Sequence, residues 1–283
     1  MSSTLRDIAV FLDASPAGIA IGRHAAKLAA RHHAHLVGVY GVSRWEDRHA
    51  AESYARGPDA IREVIERRRK QEESKALEAG RCVSELAQEY GINAELRVVW
   101  SDGPDHDAAL RALHCDLVVA AGSGPEHAPT LWSPERLWLA TGIPLLLIPQ
   151  EWNEASIGNK VVIAWNRSRQ ARRAVADALP FIQMASHITV LVVDGGRDPL
   201  HFGDAPGANL VQHLTRHGAQ VELVEVESHG APVAEVILGQ CEQQGADLLV
   251  IGAYSRSRTT ERLFGGTTRS MLTGTRLPLL MSN

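Results

Sequence analysis

The sequence contains little cysteine, and none of it is paired. Three cysteines occur in 283 residues, at Cys82, Cys115 and Cys241, and no two are spaced like zinc ligands. An odd count with these spacings excludes a disulfide framework or a structural zinc site as the basis of the fold. Such usage is typical of a reducing compartment, so we expect a cytoplasmic protein whose cysteines pack as small core residues.

Aromatic residues are also scarce, at 5%, and neither sign of charge dominates the chain. The net charge of −4 indicates no general affinity for polyanions, so nucleic acid is not an expected partner. No uncharged apolar run is long enough to cross a bilayer, and the first residues lack a cationic region followed by an apolar one. We therefore expect neither a membrane span nor an export signal.

What the sequence does contain is an internal repeat. A short apolar run that ends in an acid or amide and then a serine occurs twice, as IAVFLDAS at 8–15 and VVIAWNRS at 161–168. Three further segments recur in the same order: YGINAELRVVW (90–100) with HGAQVELVEVE (217–227), CDLVVAAG (115–122) with ADLLVIGA (246–253), and IPLLLIP (143–149) with LPLLMS (277–282). This conserved order indicates two copies of one domain.

Each copy alternates strand and helix patterns. The apolar runs are rich in Val, Ile and Leu and barely alternate with polar residues, which is typical of strands covered by helices on both faces. The amphipathic stretches between them predict helices over 17–31, 58–90 and 105–113 in the first copy, and over 170–185, 208–217, 232–244 and 258–273 in the second. This alternation predicts an α/β fold made of two repeated domains, at residues 1–154 and 155–283. Each domain should be a doubly wound α/β sandwich around a five-stranded parallel sheet.

The first copy contains a long charged helical stretch, residues 61–88, that the second copy lacks. Opposite charges spaced three and four residues apart favour a solvated helix face with internal ion pairs. A surface that binds a partner protein is the alternative interpretation.

The candidate site follows the strand at 247–251. In open parallel sheets, ligands bind beyond the carboxyl ends of the strands, where the strand order reverses. There the chain reads GAYSRSRTTERLFGGTTRS over 252–270, so that Gly252 ends a strand and a glycine pair precedes two threonines and a helical pattern. Free backbone N–H groups, threonine hydroxyls and nearby arginines could hold phosphate oxygens here. An ordinary helix-capping turn is the alternative.

This loop resembles the nucleotide-binding signature of universal stress proteins: glycine, two residues, glycine, nine residues, glycine, then serine or threonine. On this chain the signature positions fall on Gly252, Ser255, Gly265 and Gly266, and taking Gly266 and Thr267 as the final pair lengthens the gap to ten. The resemblance covers nearly the whole chain and identifies it as a tandem universal stress protein. It implies a Rossmann-like fold of the adenine nucleotide α-hydrolase type.

The resemblance also implies a ligand, ATP or another adenine nucleotide, bound by the C-terminal copy only. The residues that would hold it are Asn166, Gly252, Ser255, Gly265, Gly266, Thr267 and Thr268. Asn166 stands where nucleotide-binding members carry an acidic residue that contacts the nucleoside. An amide can still form hydrogen bonds there, although it donates as well as accepts.

The first copy keeps an acid at this position, Asp13, but Gly122 and Gly124 are not followed by a glycine and a hydroxyl at the required distance. Instead Ser133 and Pro134 predict the start of a helix, with Trp132 and Trp138 packed inside. We expect this copy to have a structural role, so that the two copies form an intramolecular pair resembling a dimer. Further homodimerisation is left open.

The histidines are not expected to bind metal. Those at 31–35 lie at a helix end, where cationic side chains favour the helix dipole, and we expect His201, His213, His217 and His229 to lack ligand spacing. No P-loop, GxGxxG or HExxH motif occurs. The missing motifs predict a non-enzymatic protein without metal, and the resemblance implies a role in the stress response. The alternatives are an interaction or scaffold protein and a slow ATP hydrolase.

Overall fold

The structure is a computed structural model that describes residues 4–12, 15–43, 58–101, 110, 113–122, 134–153, 156–197, 205–253, 270–272 and 275–282. Its strands are β1 (Asp7–Phe11), β2 (His35–Ser43), β3 (Ala94–Ser101), β4 (Leu117–Ala121), β5 (Leu145–Ile148), β6 (Lys160–Ala164), β7 (His187–Val193), β8 (Val221–Val226), β9 (Leu248–Gly252) and β10 (Leu279–Ser282). Its helices are α1 (Pro16–His32), α2 (Pro58–Tyr90), α3 (Pro134–Thr141), α4 (Arg169–Asp177), α5 (Leu179–Ile182), α6 (Ala208–Arg216) and α7 (Val233–Gln244), with a 3-10 turn at Gly195–Arg197.

The chain forms two compact units. One holds β1, β2, β3, the start of β4 and α1 to α3; the other holds β5 to β10 and α4 to α7. In the first unit β1 lies between β2 and β4, with β3 outside β2, and all these neighbours are parallel. In the second, β6 lies between β7 and β9 in the same way, with β8 outside β7 and β10 beside β9. The equivalent strand orders confirm the predicted α/β repeat, while the domain boundary near residue 155 stays a prediction.

The fifth strands of the two copies pair with each other. Within the second unit β5 runs antiparallel to β10, with Leu147 opposite Leu279, Leu146 opposite Leu280 and Leu145 opposite Met281. In the sequence repeat Leu146 and Leu280 are equivalent positions, so the register is symmetric about that pair. The sequence does not predict this antiparallel contact, because the repeat defines the strands of each copy but not which strand lies beside the last one.

The central strands are buried on both faces. In β1, Ile8, Ala9 and Val10 are fully buried, and in β9 Leu248 and Leu249 are as well. Continuous burial accounts for the apolar runs that lack alternation, since helices cover parallel sheets on both sides. Leu86 of α2 and Leu28 of α1 belong to the helical layer of this core.

An aspartate carboxylate joins the first and fourth strands of each copy. Asp247, just before β9, is 4% exposed and accepts hydrogen bonds from the backbone N–H groups of Gly158 (3.1 Å), Asn159 (2.9 Å) and Lys160 (2.8 Å). Its other oxygen accepts from Ser156 Oγ at 3.1 Å. In the first copy the equivalent Asp116 accepts from the N–H groups of Arg6 (2.6 Å) and Asp7 (3.0 Å).

Most predicted helices are confirmed, and one is corrected. The stretch predicted as one helix over 170–185 is two helices, α4 and α5, which meet at Ala178. Pro180 lacks an N–H and cannot continue the hydrogen-bond ladder of α4, so the first helix ends before it. In the first copy α3 begins at Pro134 and buries Trp138, as predicted. The helices predicted at 105–113 and 258–273 lie largely outside the described residues.

The charged stretch is one continuous helix, α2, of 33 residues. Ion pairs run along its surface, including Arg67 with Glu63 at 3.1 Å and Lys75 with Glu72 at 3.1 Å. These pairs confirm the interpretation of a solvated face. Val83 and Leu86 near its C-terminus are buried against the strands, and Gly38 in β2 makes room for Val83, since a Cβ there would lie 2.7 Å from Val83 Cγ2. Among the described residues, no helix is both long and apolar enough to span a membrane.

One expectation about the histidines at 31–35 is wrong. His32, in the last turn of α1, is 3% exposed, and burial, followed by the charges of Arg31 and His33, lowers its pKa to about 4. His32 is therefore neutral at pH 7 and does not act as a cation at the helix dipole. Arg31 is the charged residue of this turn.

We expect replacement of Asp247 by alanine to lower the free energy of unfolding by about 3 kcal/mol, because buried N–H donors lose their charged acceptor. Asp59→Ala is the matched control: that side chain is 94% exposed, and its loss should cost about 0.5 kcal/mol or less. Urea denaturation of both variants measures the difference. Equal losses would contradict the anchoring role of Asp247.

The pKa of His32 also predicts a loss of stability in acid. The folded pKa, about 4, lies below the ordinary histidine value of 6.5, so the contribution of His32 is present above pH 6.5 and is lost as the pH falls toward 4. We expect wild type to lose about 2 kcal/mol more than His32→Leu between pH 7 and pH 4.5. Urea titrations at the two pH values measure this, and parallel pH profiles would contradict burial of a neutral imidazole.

Candidate functional site

The site is built where the strand order of the second copy reverses. β6 pairs with β7 on one side and with β9 on the other, and Ala164 lies opposite Ile251 near the carboxyl ends of β6 and β9. Because the two strands are parallel, Asn166 and Gly252 leave the sheet at the same edge. This is the position at which open α/β sheets bind ligands.

Asn166 shapes the turn from β6 into α4. Its Oδ1 accepts a hydrogen bond from the backbone N–H of Ser168 at 3.1 Å, and Arg167 between them has a left-handed φ of 57°. Ser168 then caps α4, since its Oγ accepts from the N–H of Ala171 at 3.0 Å. Asn166 is exposed, so its side chain both forms the turn and faces solvent at this edge.

Gly252 is required by packing. A Cβ at this position would lie 2.6 Å from Cα of Ala171, and closer still to the nitrogen of Ala171 and the carbonyl carbon of Gln170. The first turn of α4 therefore rests directly on the end of β9, and only glycine permits that approach. The sequence pattern suggests that Gly252 permits a sharp backbone turn; the structure gives it this steric role instead.

A second polar pair links the next two strands. Asp194, which follows β7 with a φ of 55°, accepts hydrogen bonds from the N–H and Oγ of Ser228 at 2.9 and 2.6 Å. Ser228 follows β8 and is buried. Both carboxylate oxygens are thus engaged within the protein, which holds the ends of β7 and β8 together and fixes one side of the rim.

The charge at the start of α4 differs from the charge at the start of α1, the equivalent helix of the first copy. Ser15 caps α1 as Ser168 caps α4, with Oγ accepting from Gly18 N at 3.1 Å, so the two helix starts can be compared position by position. Where α1 has Pro16, Ile19 and Ala20, α4 has Arg169, Arg172 and Arg173. All three arginines are exposed. Arg173 pairs with Asp177 at 2.7 Å, which raises the pKa of Arg173.

Arginines at a helix N-terminus oppose the helix dipole, which favours acidic groups there. The first turn of α4 contains no acidic residue. This corner of the C-terminal copy is therefore electropositive, whereas the equivalent corner of the first copy is apolar. Its chemistry favours an anion.

Of the predicted site residues, the structure describes Asn166 and Gly252 and brings them to one edge. The remaining five, Ser255, Gly265, Gly266, Thr267 and Thr268, lie outside the described residues, as does Asp13, and their roles stay predictions. Within the described part of the chain, no group of three or more His, Cys, Asp or Glu residues could hold a metal ion.

Sequence reasoning missed the anchoring aspartates. The signal was present, because an aspartate precedes the fourth strand in both copies, as Cys115-Asp116-Leu117 and Ala246-Asp247-Leu248. All three cysteines are free; Cys82 and Cys241 pack in the core as expected, while Cys115 is half-buried, and burial raises the pKa of Cys115 and of Cys241 to about 12. None is a candidate nucleophile.

The fold and the strand order define a doubly wound class of α/β protein, and comparisons with known proteins agree on the fold. A universal stress protein from Archaeoglobus fulgidus is 15% identical over 98% of this chain and 98% of its own, with a TM-score of 0.66. A protein of unknown function from Pseudomonas aeruginosa is 16% identical over 98% of this chain and 92% of its own, with a TM-score of 0.59. At these identities the likeness shows a shared fold.

Residues 159–283 match the Universal stress protein family. The family match covers the C-terminal copy, and the likeness to a universal stress protein structure over 98% of the chain is one of fold. A universal stress protein in complex with cAMP matches 52% of this chain with a TM-score of 0.35, too low to bear on the ligand of this chain. No curated protein matches the chain significantly.

We expect Gly252→Ala to destabilise the protein by about 3 kcal/mol, because the new methyl group would overlap the backbone of α4. Gly239→Ala is the matched control. Gly239 lies inside α7, and a Cβ added there would meet no other atom within 4 Å, so alanine should stabilise by about 0.5 to 1 kcal/mol. Thermal unfolding of both variants measures whether each substitution lowers or raises the stability of the protein. A neutral Gly252→Ala would show that α4 does not rest on β9.

Proposed function

We propose that the chain is a cytoplasmic, non-enzymatic stress-response protein whose C-terminal copy binds an adenine nucleotide at the carboxyl ends of β6 and β9. The observation that carries the proposal is that exposed Asn166 and the close-packed end of β9 share the edge where the strand order reverses. Ligands of open α/β sheets bind at this point.

Electrostatics supports an anionic ligand in this copy. Arg167, Arg169 and Arg172 are exposed around the start of α4, while the net charge of the whole chain is −4. A local positive field on a negatively charged protein attracts phosphate more specifically than a basic protein would. The first copy lacks these arginines, which agrees with a single binding copy.

The loop after β9 supplies the predicted phosphate contacts. Gly265 and Gly266 followed by Thr267 and Thr268 offer backbone N–H groups and hydroxyls, the donors that phosphate oxygens accept from. Asn166 would contact the ribose or the base. Bound nucleotide would thus bridge the end of β6 and the loop that follows β9.

Isothermal titration of the full chain with ATP, AMP and cAMP tests the proposal. We expect one nucleotide per chain, and we expect Gly265→Val to abolish binding because its side chain would occupy the space of a phosphate. Asn166→Asp keeps the acceptor for Ser168 N and supplies a charged acceptor to the ribose, so it should tighten binding by about fivefold.

The repeat provides the control for these variants. Asp13 is the counterpart of Asn166, and Asp13→Asn should leave the affinity unchanged if only the C-terminal copy binds. Absence of binding to wild type at millimolar nucleotide would overturn the proposal. A loss on Asp13→Asn would instead move the site to the first copy.

One observation favours the scaffold alternative. Over residues 59–78 of α2, no described side chain is buried, and Leu77 is 60% exposed. A helix end that extends beyond the core offers a surface for another protein. The ion pairs along the same face account for much of this exposure without a partner, so nucleotide binding remains the better supported function.

A further inference from the structure

Two histidines of the second copy meet at the end of α6. His213 lies in the last turn of that helix and His217 caps it, and the four-residue separation brings them to one helix face. Their ring centroids are 4.7 Å apart, with an angle of 69° between the rings. Both side chains are exposed. The four-residue separation on the helix thus places the two rings in direct contact.

The usual role of histidines at a helix C-terminus does not explain this pair. There, a protonated imidazole stabilises the negative end of the helix dipole. Two protonated rings in contact would repel each other. A neutral imidazole keeps a nitrogen lone pair available to bind a metal.

Other described histidines have different surroundings. His187 lies 3.2 Å from Glu222, and His229 lies 3.7 Å from Glu227, so each of these rings has a carboxylate beside it. At α6, the nearest charged neighbour in sequence is a cation, Arg216. Imidazole nitrogens are thus the ligands that this helix end offers.

We propose that His213 and His217 form a two-histidine chelate for a divalent late first-row transition metal ion. Imidazole suits Cu²⁺, Ni²⁺ and Zn²⁺, and pairs of histidines four residues apart on a helix place two such ligands on one ion. Water completes the coordination, since no third ligand group occurs among the described residues. The order of affinity is Cu²⁺ above Ni²⁺ and Zn²⁺. Mg²⁺ and Ca²⁺, which prefer oxygen ligands, do not bind.

Isothermal titration of the untagged full chain with NiCl₂ and ZnCl₂ tests the chelate. Wild type should bind one ion per chain at this site, and His213→Ala and His217→Ala should each weaken binding by at least about tenfold. The double variant should bind the ion no more weakly than either single variant, because removal of one histidine already destroys the chelate. Ni²⁺ should also raise the unfolding temperature of wild type and not that of the variants.

His187→Ala and His229→Ala are the matched controls, because both remove an exposed imidazole and leave α6 intact. They should bind Ni²⁺ as wild type does. The proposal is overturned if wild type binds neither ion at millimolar concentration, or if the double variant retains the binding. It is also overturned if each single variant loses only half of the bound ions, since that result would indicate two independent imidazoles.

Discussion

An aspartate at the start of the fourth strand, buried at Asp247 and exposed at Asp116, holds each copy of the fold together. Asp247 accepts hydrogen bonds from three successive backbone N–H groups at the start of β6, and Asp116 accepts them from two at the start of β1. These bonds join strands that are far apart in sequence but adjacent in the sheet. They fix the register of the first and fourth strands, between which the strand order reverses. The edge where the site lies is set by bonds made at the opposite end of the same strands.

At the site itself, steric packing and ligand chemistry coincide. Gly252 is the first residue of the glycine pattern, yet its presence is explained by the approach of α4 alone. The case for a nucleotide therefore depends on features that packing does not require. These are the exposed amide of Asn166, the arginines that oppose the dipole of α4, and the glycine pair at 265–266. Departures from local preference are expected at functional sites, and the arginines at the start of α4 are such a departure.

Much of this architecture can be predicted from the sequence, because the sequence pattern of the domain occurs twice in the chain. Apolar runs recur in the same order, and their lack of alternation indicates parallel strands with helices on both sides. The serines that follow the first strand of each copy, Ser15 and Ser168, are visible as well, and the structure shows that each caps a helix. What cannot be predicted depends on distant partners. The hydrogen bonds between Asp194 and Ser228, the neutral state of His32, and the pairing of β5 with β10 all arise from contacts that no local pattern encodes.

Errors within single elements have local causes. The prediction of one helix over 170–185 does not take account of Pro180. Because Pro180 has no N–H, the first helix ends before it and a second helix begins. The contact between the histidines of α6 follows from their positions on one helical face, which a search for metal-ligand motifs does not consider. At the candidate site, the structure places Asn166 and Gly252 at one edge of the sheet and gives Gly252 a steric role, while their roles in binding stay predictions.

The symmetric register of β5 and β10 has an evolutionary consequence. In a symmetric assembly of identical chains, the two residue pairs on either side of the central Leu146–Leu280 pair would be equivalent. Leu145 with Met281 and Leu147 with Leu279 would then have to consist of the same residue types. Here they already differ by one residue. Once both halves are encoded in one gene, a change in one half no longer appears in the other. Divergence of the two helix starts, apolar at α1 and rich in arginine at α4, needs that freedom.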